Sequence, residues 1–308
     1  MIPDKKYIFE HNEYCEMCGD KTENHKILGQ RLNQSQGFRP KKKTGITVSV
    51  KKCRNCGLLY SYPMPIPFSI QDHYGIDPEE YSWKEDYYVD DPDYYSTQIN
   101  TVKKLLPEKS TGMKALDVGA GLGKALKAMQ RAGFDVFGIE PSPNFRTRAI
   151  EWLKIPEDQI RLATAEEAVF PDNHFDFITY GAVYEHLYHP AAVLERSVKW
   201  LKPGGIIHIE VPNAENLVGK LINRYYRLRG TNYVTSLSPM HAPFHLYEYT
   251  VKSFEEVCKK LNLELVEKKF DVCSIFHFPG IMKPFMRKYM EWTNTGMQLT
   301  VYLRKPLN

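Results

Sequence analysis

Residues 113–140 read MKALDVGAGLGKALKAMQRAGFDVFGIE, and this stretch decides the fold. The apolar run 113–119 predicts a strand that ends in a glycine turn. Apolar side chains then recur at helical spacing over 122–129, and 134–140 predicts a second strand. Strand, helix and strand in this order predict a parallel pair joined by a crossover helix.

The alternation continues toward the C-terminus. Strands are predicted at 175–180 and 205–211, with a helix over 190–201 between them. Alternating strands and helices predict an α/β fold, in which helices cover both faces of a mostly parallel sheet. Ligands of such folds bind at the carboxyl ends of the strands.

The composition limits the class of protein. The chain has 308 residues, of which 43% are hydrophobic and 25% are charged, so it can bury a core. No stretch approaches the ~20 apolar residues of a membrane span, and no secretory signal is visible, so we expect a soluble, cytoplasmic protein. The formal net charge of +4 is too small to indicate nucleic acid as a partner.

Three units are predicted along the chain. Residues 1–70 contain two cysteine pairs and end in a proline-rich stretch that cannot be a regular helix or a central strand. Residues 71–98 are rich in Tyr and Asp and predict a connecting or lid segment. Residues 99–308 carry the alternation, which 212–246 interrupt with an insert that we expect to cover the site.

The glycine turn and the acids around it predict a nucleoside site. Gly119 and Gly121 let the backbone approach a ligand, and the helix that follows offers free N–H groups. Glu140, at the end of the next strand, can accept both ribose hydroxyl hydrogens. Asp117 can receive the amino group of an amino-acid moiety, where a dinucleotide site would need a small residue.

Four motifs occur in order over about 110–212: LDVGAGLG, VFGIEPSP, FDFITYGAVYEHLYHP, and LKPGG followed by IIHIEVPN. Together they resemble the motifs of class I S-adenosylmethionine-dependent methyltransferases. The resemblance implies a Rossmann-like fold with a mostly parallel seven-stranded sheet. The cofactor-binding residues that it implies are Asp117, Gly119, Gly121, Glu140, Pro141, Ala165, Glu166 and Tyr180. An NAD-type Rossmann domain, or a fold that has lost its cofactor, is the alternative.

The paired cysteines predict a metal site. Cys15 and Cys18 form one Cys-x-x-Cys-Gly unit, and Cys53 and Cys56 form another. In an intracellular chain such pairs indicate metal binding rather than disulfides. Four thiolates complete a zinc tetrahedron and leave no open position, so we expect a structural Zn²⁺ in a zinc-ribbon-like module. Redox-active cysteines are the alternative.

Three histidines are candidates for the catalytic base. A hydroxyl acceptor must lose a proton, and histidine has a suitable pKa. His186 follows a predicted strand at the rim of the site, and His241 and His245 lie in the insert. Related quinone O-methyltransferases carry Glu-x-x-Glu-His at this rim. Ala182 stands here in place of the first Glu, so we expect no catalytic metal.

A cysteine module joined to this core resembles bacterial methyltransferases of sugar and surface-glycan pathways. The resemblance implies a small-molecule acceptor, a sugar or nucleotide-sugar hydroxyl in polysaccharide biosynthesis, deprotonated with the help of a histidine. An RNA methyltransferase, a quinone or lipid O-methyltransferase and a non-catalytic cofactor-binding adaptor remain alternatives. RNA is disfavoured because GAVY replaces the Asn/Asp-Pro-Pro-Tyr/Phe signature of base-amine methylation.

Overall fold

The computed structural model describes residues 7–31, 48–74, 91–106, 112–237, 244–273, 275 and 278–307. The N-terminal elements are β1 (Tyr7–Glu10), β2 (Lys26–Arg31), β3 (Ser49–Lys52), β4 (Leu59–Tyr62), β5 (Met64–Pro67), α1 (Gln71–Tyr74) and α2 (Ser96–Leu105). The central elements are β6 (Lys114–Val118), α3 (Lys124–Arg131), β7 (Asp135–Glu140), α4 (Pro143–Leu153), β8 (Ile160–Leu162), β9 (Phe175–Gly181), α5 (Pro190–Trp200) and β10 (Leu201–Pro212). The remaining elements are α6 (Leu217–Leu228), β11 (Tyr233–Val234), β12 (Tyr247–Glu248), α7 (Val251–Leu261), β13 (Glu264–Asp271), α8 (Lys283–Trp292) and β14 (Gln298–Arg304).

The larger sheet has seven strands in the order β13-β14-β10-β9-β6-β7-β8. Five neighbouring strands are parallel, namely β10, β9, β6, β7 and β8. Strand β14 runs antiparallel to both of its neighbours, β10 and β13. The predicted methyltransferase fold with a mostly parallel seven-stranded sheet is therefore confirmed. Its central strands are buried along most of their length, as their continuous apolar runs predicted.

Strand direction brings the motif residues together. Because β6, β7 and β9 are parallel neighbours, their carboxyl ends meet at one edge of the sheet. The glycine turn follows β6, Glu140 ends β7, and Ala182 follows β9. Helix α4 begins directly after this edge, where the Ser142 side chain caps it by accepting a hydrogen bond from the Phe145 N–H.

The cysteine pairs lie beside a second sheet, of five strands in the order β11-β2-β3-β4-β12. Strands β2, β3 and β4 belong to the N-terminal part, whereas β11 and β12 come from after residue 230. One buried cluster joins Cys15 and Cys53 to Tyr184 and Tyr249 of the methyltransferase part. The N-terminal module and the larger part therefore share both a sheet and a core.

The structure also shows that no helix among the described residues has the length and apolar character needed to cross a bilayer.

Thr250 links the two parts, and its replacement tests that link. Its hydroxyl donates to the Cys56 carbonyl at 2.6 Å and accepts from the Ser253 N–H at 3.0 Å, which caps α7. Thr250→Val keeps the shape and loses both bonds, so we expect the free energy of unfolding in urea to fall by about 1–2 kcal/mol. Thr231→Val, at an exposed threonine, should change it by less than ~0.5 kcal/mol. Equal effects of the two substitutions would contradict this role.

Candidate functional site

A cavity of about 260 Å³ lies at the edge where β6, β7 and β9 end. Six of the sequence-predicted cofactor residues line it: Gly119, Gly121, Glu140, Pro141, Ala165 and Glu166. Asp117 lies buried at the strand end and is not part of the lining. The Tyr180 side chain is also directed elsewhere, since its hydroxyl contacts the Ser197 hydroxyl at 2.5 Å.

The Glu140 carboxylate is fixed by the backbone at the bottom of this cavity. Oε2 accepts from the Gly121 N–H at 2.7 Å, and Oε1 accepts from the Ser142 N–H at 2.8 Å. Burial nevertheless raises the pKa of Glu140 to about 7. Burial, and then the charge of Glu140, raises the pKa of Asp117 to about 7. A ligand that carries positive charge or donates hydrogen bonds here would stabilise the ionised carboxylates.

The two glycines of the turn differ in their surroundings: a side chain would not fit at Gly119, whereas the space at Gly121 is open. Gly119 has φ +74°, and a Cβ atom there would lie 2.5 Å from the Val183 Cγ2 atom. Gly121 has φ +54°, and a Cβ atom there would meet only the Phe145 ring, at 4.0 Å. An open backbone turn beside a buried acid fits the methionine and ribose parts of S-adenosylmethionine.

Among the lining residues that were not anticipated as ligand contacts, two come from before the predicted methyltransferase domain. Ile70 and Tyr74, which lie around α1, form part of the wall. The Gln71 Nε2 atom donates to the Pro141 carbonyl at 3.1 Å and fixes α1 over the end of β7. The Tyr-rich composition after residue 70 indicated ring packing, but nothing in the sequence indicated which side chains would reach the cofactor.

A second cavity, of about 420 Å³, adjoins the first. Ala182 and His186 line both cavities and therefore form the wall between them. The other lining residues are Glu185, Val211, Pro212, Asn216, Val218, Gly219, Ile222, Thr235, Ser236, His245, Glu248, Cys273, Met297 and Gln298. A molecule in the second cavity would thus reach the cofactor cavity beside His186.

The structure brings two of the three candidate histidines together. The rings of His186 and His245 lie 4.7 Å apart, edge to face. His186 Nδ1 is 2.7 Å from the Phe244 carbonyl oxygen, which can only accept, so Nδ1 carries the proton and the neutral ring has its lone pair on Nε2. His241 lies outside the described residues.

Glu185 is the third member of this group. It is 2% exposed, and its Oε1 atom lies 3.9 Å from His245 Nε2. Burial raises the pKa of Glu185 to about 8. Its backbone carbonyl accepts from the Leu246 N–H at 2.8 Å, which places His245 beside it. The sequence indicated both histidines as candidates but carried no signal that paired them with each other.

The sequence led us to expect no catalytic metal, but the same three residues form a group that could hold a metal ion. The ligand atoms of Glu185, His186 and His245 lie within 4.8 Å of one another. One carboxylate and two imidazoles are a donor set that divalent transition metals accept. Sequence reasoning could not assemble such a set at this rim, because His245 comes from a distant part of the chain.

A buried polar network lies beneath the cofactor cavity. The Tyr95 hydroxyl, just before α2, lies 2.5 Å from the Thr179 hydroxyl and 3.0 Å from His208 Nδ1. Burial lowers the pKa of His208 to about 3, which keeps the imidazole neutral. This network fixes the start of α2 against β9 and β10. A lone histidine in the apolar run IIHIEV was its only sequence signal.

The four paired cysteines converge as predicted. Cys15 Sγ lies 3.6 Å from Cys56 Sγ, Cys18 Sγ lies 3.5 Å from Cys53 Sγ, and all four sulfur atoms are within 4.8 Å of one another. A tetrahedral zinc with Zn–S bonds of about 2.3 Å requires sulfur atoms about 3.8 Å apart. Zinc therefore fits this cluster, as a structural ion with four thiolate ligands.

Comparison with known proteins finds methyltransferases. Residues 94–268 match the family described as "Methyltransferase domain". A ubiquinone biosynthesis O-methyltransferase of Bradyrhizobium diazoefficiens is 30% identical over 107 residues, which are 33% of this chain and 41% of that protein. Phosphoethanolamine N-methyltransferase 3 of Arabidopsis thaliana is 36% identical over 102 residues, which are 32% of this chain and 21% of that protein. The chain therefore spans less than half the length of these two curated relatives.

Among solved structures, a SAM-dependent methyltransferase from Archaeoglobus fulgidus superposes with a TM-score of 0.49 and 16% identity, over 70% of this chain and 95% of that one.

The cysteine cluster predicts one zinc ion per chain. We expect elemental analysis of the purified protein to find one equivalent of zinc, and Cys53→Ser to lose it and to lower the melting temperature, since metal binding stabilises the fold. Cys273→Ser is the matched control, because Cys273 is exposed and lies outside the cluster. Full zinc content in Cys53→Ser would show that the cluster is not the site.

The raised pKa values at the cofactor cavity predict pH-dependent binding. Below pH ~7 Glu140 is protonated in the free protein, so a ligand that needs its carboxylate must displace a proton. We expect calorimetry to show S-adenosylmethionine affinity falling below pH ~7 by up to about tenfold per pH unit for each of the two acids, and levelling off above it. Glu140→Gln should weaken binding and make this dependence shallower, leaving the contribution of Asp117.

Glu157→Gln is the control and should behave as the unmodified protein, because Glu157 is exposed, pairs with Arg146 and is not part of the cavity lining. Constant affinity of the unmodified protein from about pH 6 to pH 8 would contradict the assignment of Glu140.

Proposed function

Because the chain belongs to the methyltransferase-domain family, we propose that it transfers the methyl group of S-adenosylmethionine to a hydroxyl of a small molecule bound in the second cavity. One observation carries the proposal: His186 and Ala182 line both cavities, so a basic nitrogen stands where the two meet. Ala182 contributes only a methyl group to this shared wall, so the side-chain nitrogen atoms there belong to His186.

The bound cofactor supplies an electrophilic methyl group, and the chain supplies orientation and proton removal. The glycine turn and Glu140 hold the donor from one side. His186 is fixed through Nδ1 by the Phe244 carbonyl, so its Nε2 atom can take the proton of an acceptor hydroxyl.

Glu185 and His245 support this proton transfer. Because burial raises the pKa of Glu185 to about 8, this side chain is largely protonated at neutral pH. Positive charge on His245, 3.9 Å away, would lower this pKa, so Glu185 would then release its proton to solvent and become the ion-pair partner of His245. The buried acid thus stabilises the histidine pair in its charged form without adding a permanent negative charge to the cavity.

The polar part of the lining supports a sugar or nucleotide-sugar as the acceptor. Asn216, Thr235, Ser236 and Gln298 all line the second cavity, and their side chains can hydrogen-bond a polyhydroxylated ligand. A sugar acceptor also agrees with the resemblance of this sequence, with its cysteine module joined to the core, to methyltransferases of sugar and surface-glycan pathways.

An aromatic hydroxyl is the second candidate acceptor. Val218, Ile222 and Met297 form an apolar part of the same lining. Seven of the first eight relatives matched by sequence are ubiquinone biosynthesis O-methyltransferases. A panel of nucleotide-sugars and hydroxyquinones with labelled cofactor, followed by mass mapping of the product, separates the two classes. Cofactor binding without methylation of either class of acceptor would favour the alternative that the chain is a non-catalytic cofactor-binding adaptor.

The role of His186 is tested by His186→Asn. The asparagine Nδ2 atom can still donate to the Phe244 carbonyl, but no basic nitrogen remains. We expect kcat with the identified acceptor to fall by about 10²–10⁴-fold, while calorimetry shows little change in cofactor affinity. Assays with added Mg²⁺ or Mn²⁺ report whether the Glu185–His186–His245 group works with a metal.

The matched control is His174→Asn. His174 precedes β9, at the opposite end of the strand from the site, and its loss should leave kcat unchanged. Normal turnover in His186→Asn would remove this histidine from the mechanism.

A further inference from the structure

Helix α8 exposes apolar side chains in addition to the row that it buries. Met290 is fully buried against Val218, Val272 and Ile275, which accounts for the inner side of the helix. On the outer side Phe285 and Trp292 are 69% and 81% exposed, and they lie along one face because they are seven residues apart. Ile281, in the short turn Gly280–Met282 just before the helix, is 92% exposed.

Helix α6 repeats the pattern. Its buried side chain is Val218, which packs in the same small cluster as Met290 of α8. Leu221, Tyr225 and Leu228 are 45%, 57% and 80% exposed and follow one another at helical spacing. Both helices therefore cover one cluster with their inner sides and present apolar rows on their outer sides.

Basic residues interleave with these rows. Helix α6 carries Lys220, Arg224 and Arg227, and no acidic residue occurs between Asn216 and Tyr247. Helix α8 carries Lys283, Arg287 and Lys288, with Glu291 as its one acidic residue. We define the outer face of α6 and α8 by the six exposed apolar residues and by Lys220, Arg224, Arg227 and Lys288, the last of which lies three residues after Phe285 and four before Trp292. Arg287 is not part of this face, because its guanidinium donates to the Cys273 carbonyl at 2.9 Å. The face is both hydrophobic and positively charged.

We propose that the outer face of α6 and α8 binds the surface of a bilayer that contains anionic phospholipids. Helices with exposed Trp, Phe and Leu beside Lys and Arg lie in the headgroup plane, with apolar groups inserted and basic groups against the phosphates. Pairing with a second copy through this face is disfavoured, because a symmetric contact would set the basic rows against each other.

The test is co-sedimentation of the full chain with vesicles. We expect at least about tenfold stronger partition into phosphatidylcholine vesicles that contain phosphatidylglycerol than into phosphatidylcholine alone, weakening as salt rises. The double variant Phe285→Ser/Trp292→Ser should lose this binding. Trp152→Ser, at a half-exposed tryptophan on α4, is the matched control and should bind as the unmodified chain.

A second readout follows insertion directly. Tryptophan fluorescence should shift to the blue when anionic vesicles are added, and Trp292→Phe should abolish the shift while sedimentation persists. S-adenosylmethionine binding by each variant shows that it is folded. Undiminished sedimentation of Phe285→Ser/Trp292→Ser would overturn the proposal. It would also be overturned if the unmodified chain did not bind vesicles but formed a dimer that this double variant dissociates. The assay needs no turnover, so its outcome is independent of the proposed acceptor.

Discussion

The antiparallel pairing of β4 with β12 ties the cysteine module to the proposed catalytic side chains. Tyr60 pairs with Tyr247 in this register, two residues after His245. Phe244, which orients His186, lies just before His245. The cysteine cluster, the five-stranded sheet and the second cavity therefore form one continuous structure, and a structural metal would support the proposed catalytic side chains by holding β4 in place.

Buried acids set the electrostatics on both sides of the His186 wall. Asp117 and Glu140 lie by the cofactor cavity and Glu185 by the acceptor cavity, and burial raises the pKa of all three carboxyl groups. Such groups are poorly solvated as anions and gain most when a cationic ligand or an imidazolium appears beside them. The proposed site would thereby respond to the positive charge of the donor and to the charge that the proposed proton transfer creates.

Local patterns predicted the parts of the fold that depend on local chemistry. The glycine turn, Glu140 and the paired cysteines were all read from short segments, because backbone conformation and metal ligation impose fixed residue types at fixed spacing. The meeting of His245 with Glu185, the contribution of Ile70 and Tyr74, and the Tyr95–Thr179–His208 network depend on contacts between distant segments. Such contacts leave no periodic signal, so the sequence could name some members without pairing them.

The five-stranded sheet has a consequence for synthesis on the ribosome. Strands β2, β3 and β4 emerge early and leave β2 and β4 as the edges of a three-stranded sheet. Strands β11 and β12, which pair with β2 and β4, come from much later in the chain. Until those segments leave the exit tunnel, the nascent module presents two open edges, a known hazard for aggregation. Early metal binding by the two Cys-x-x-Cys-Gly units would stabilise this incomplete sheet while translation continues.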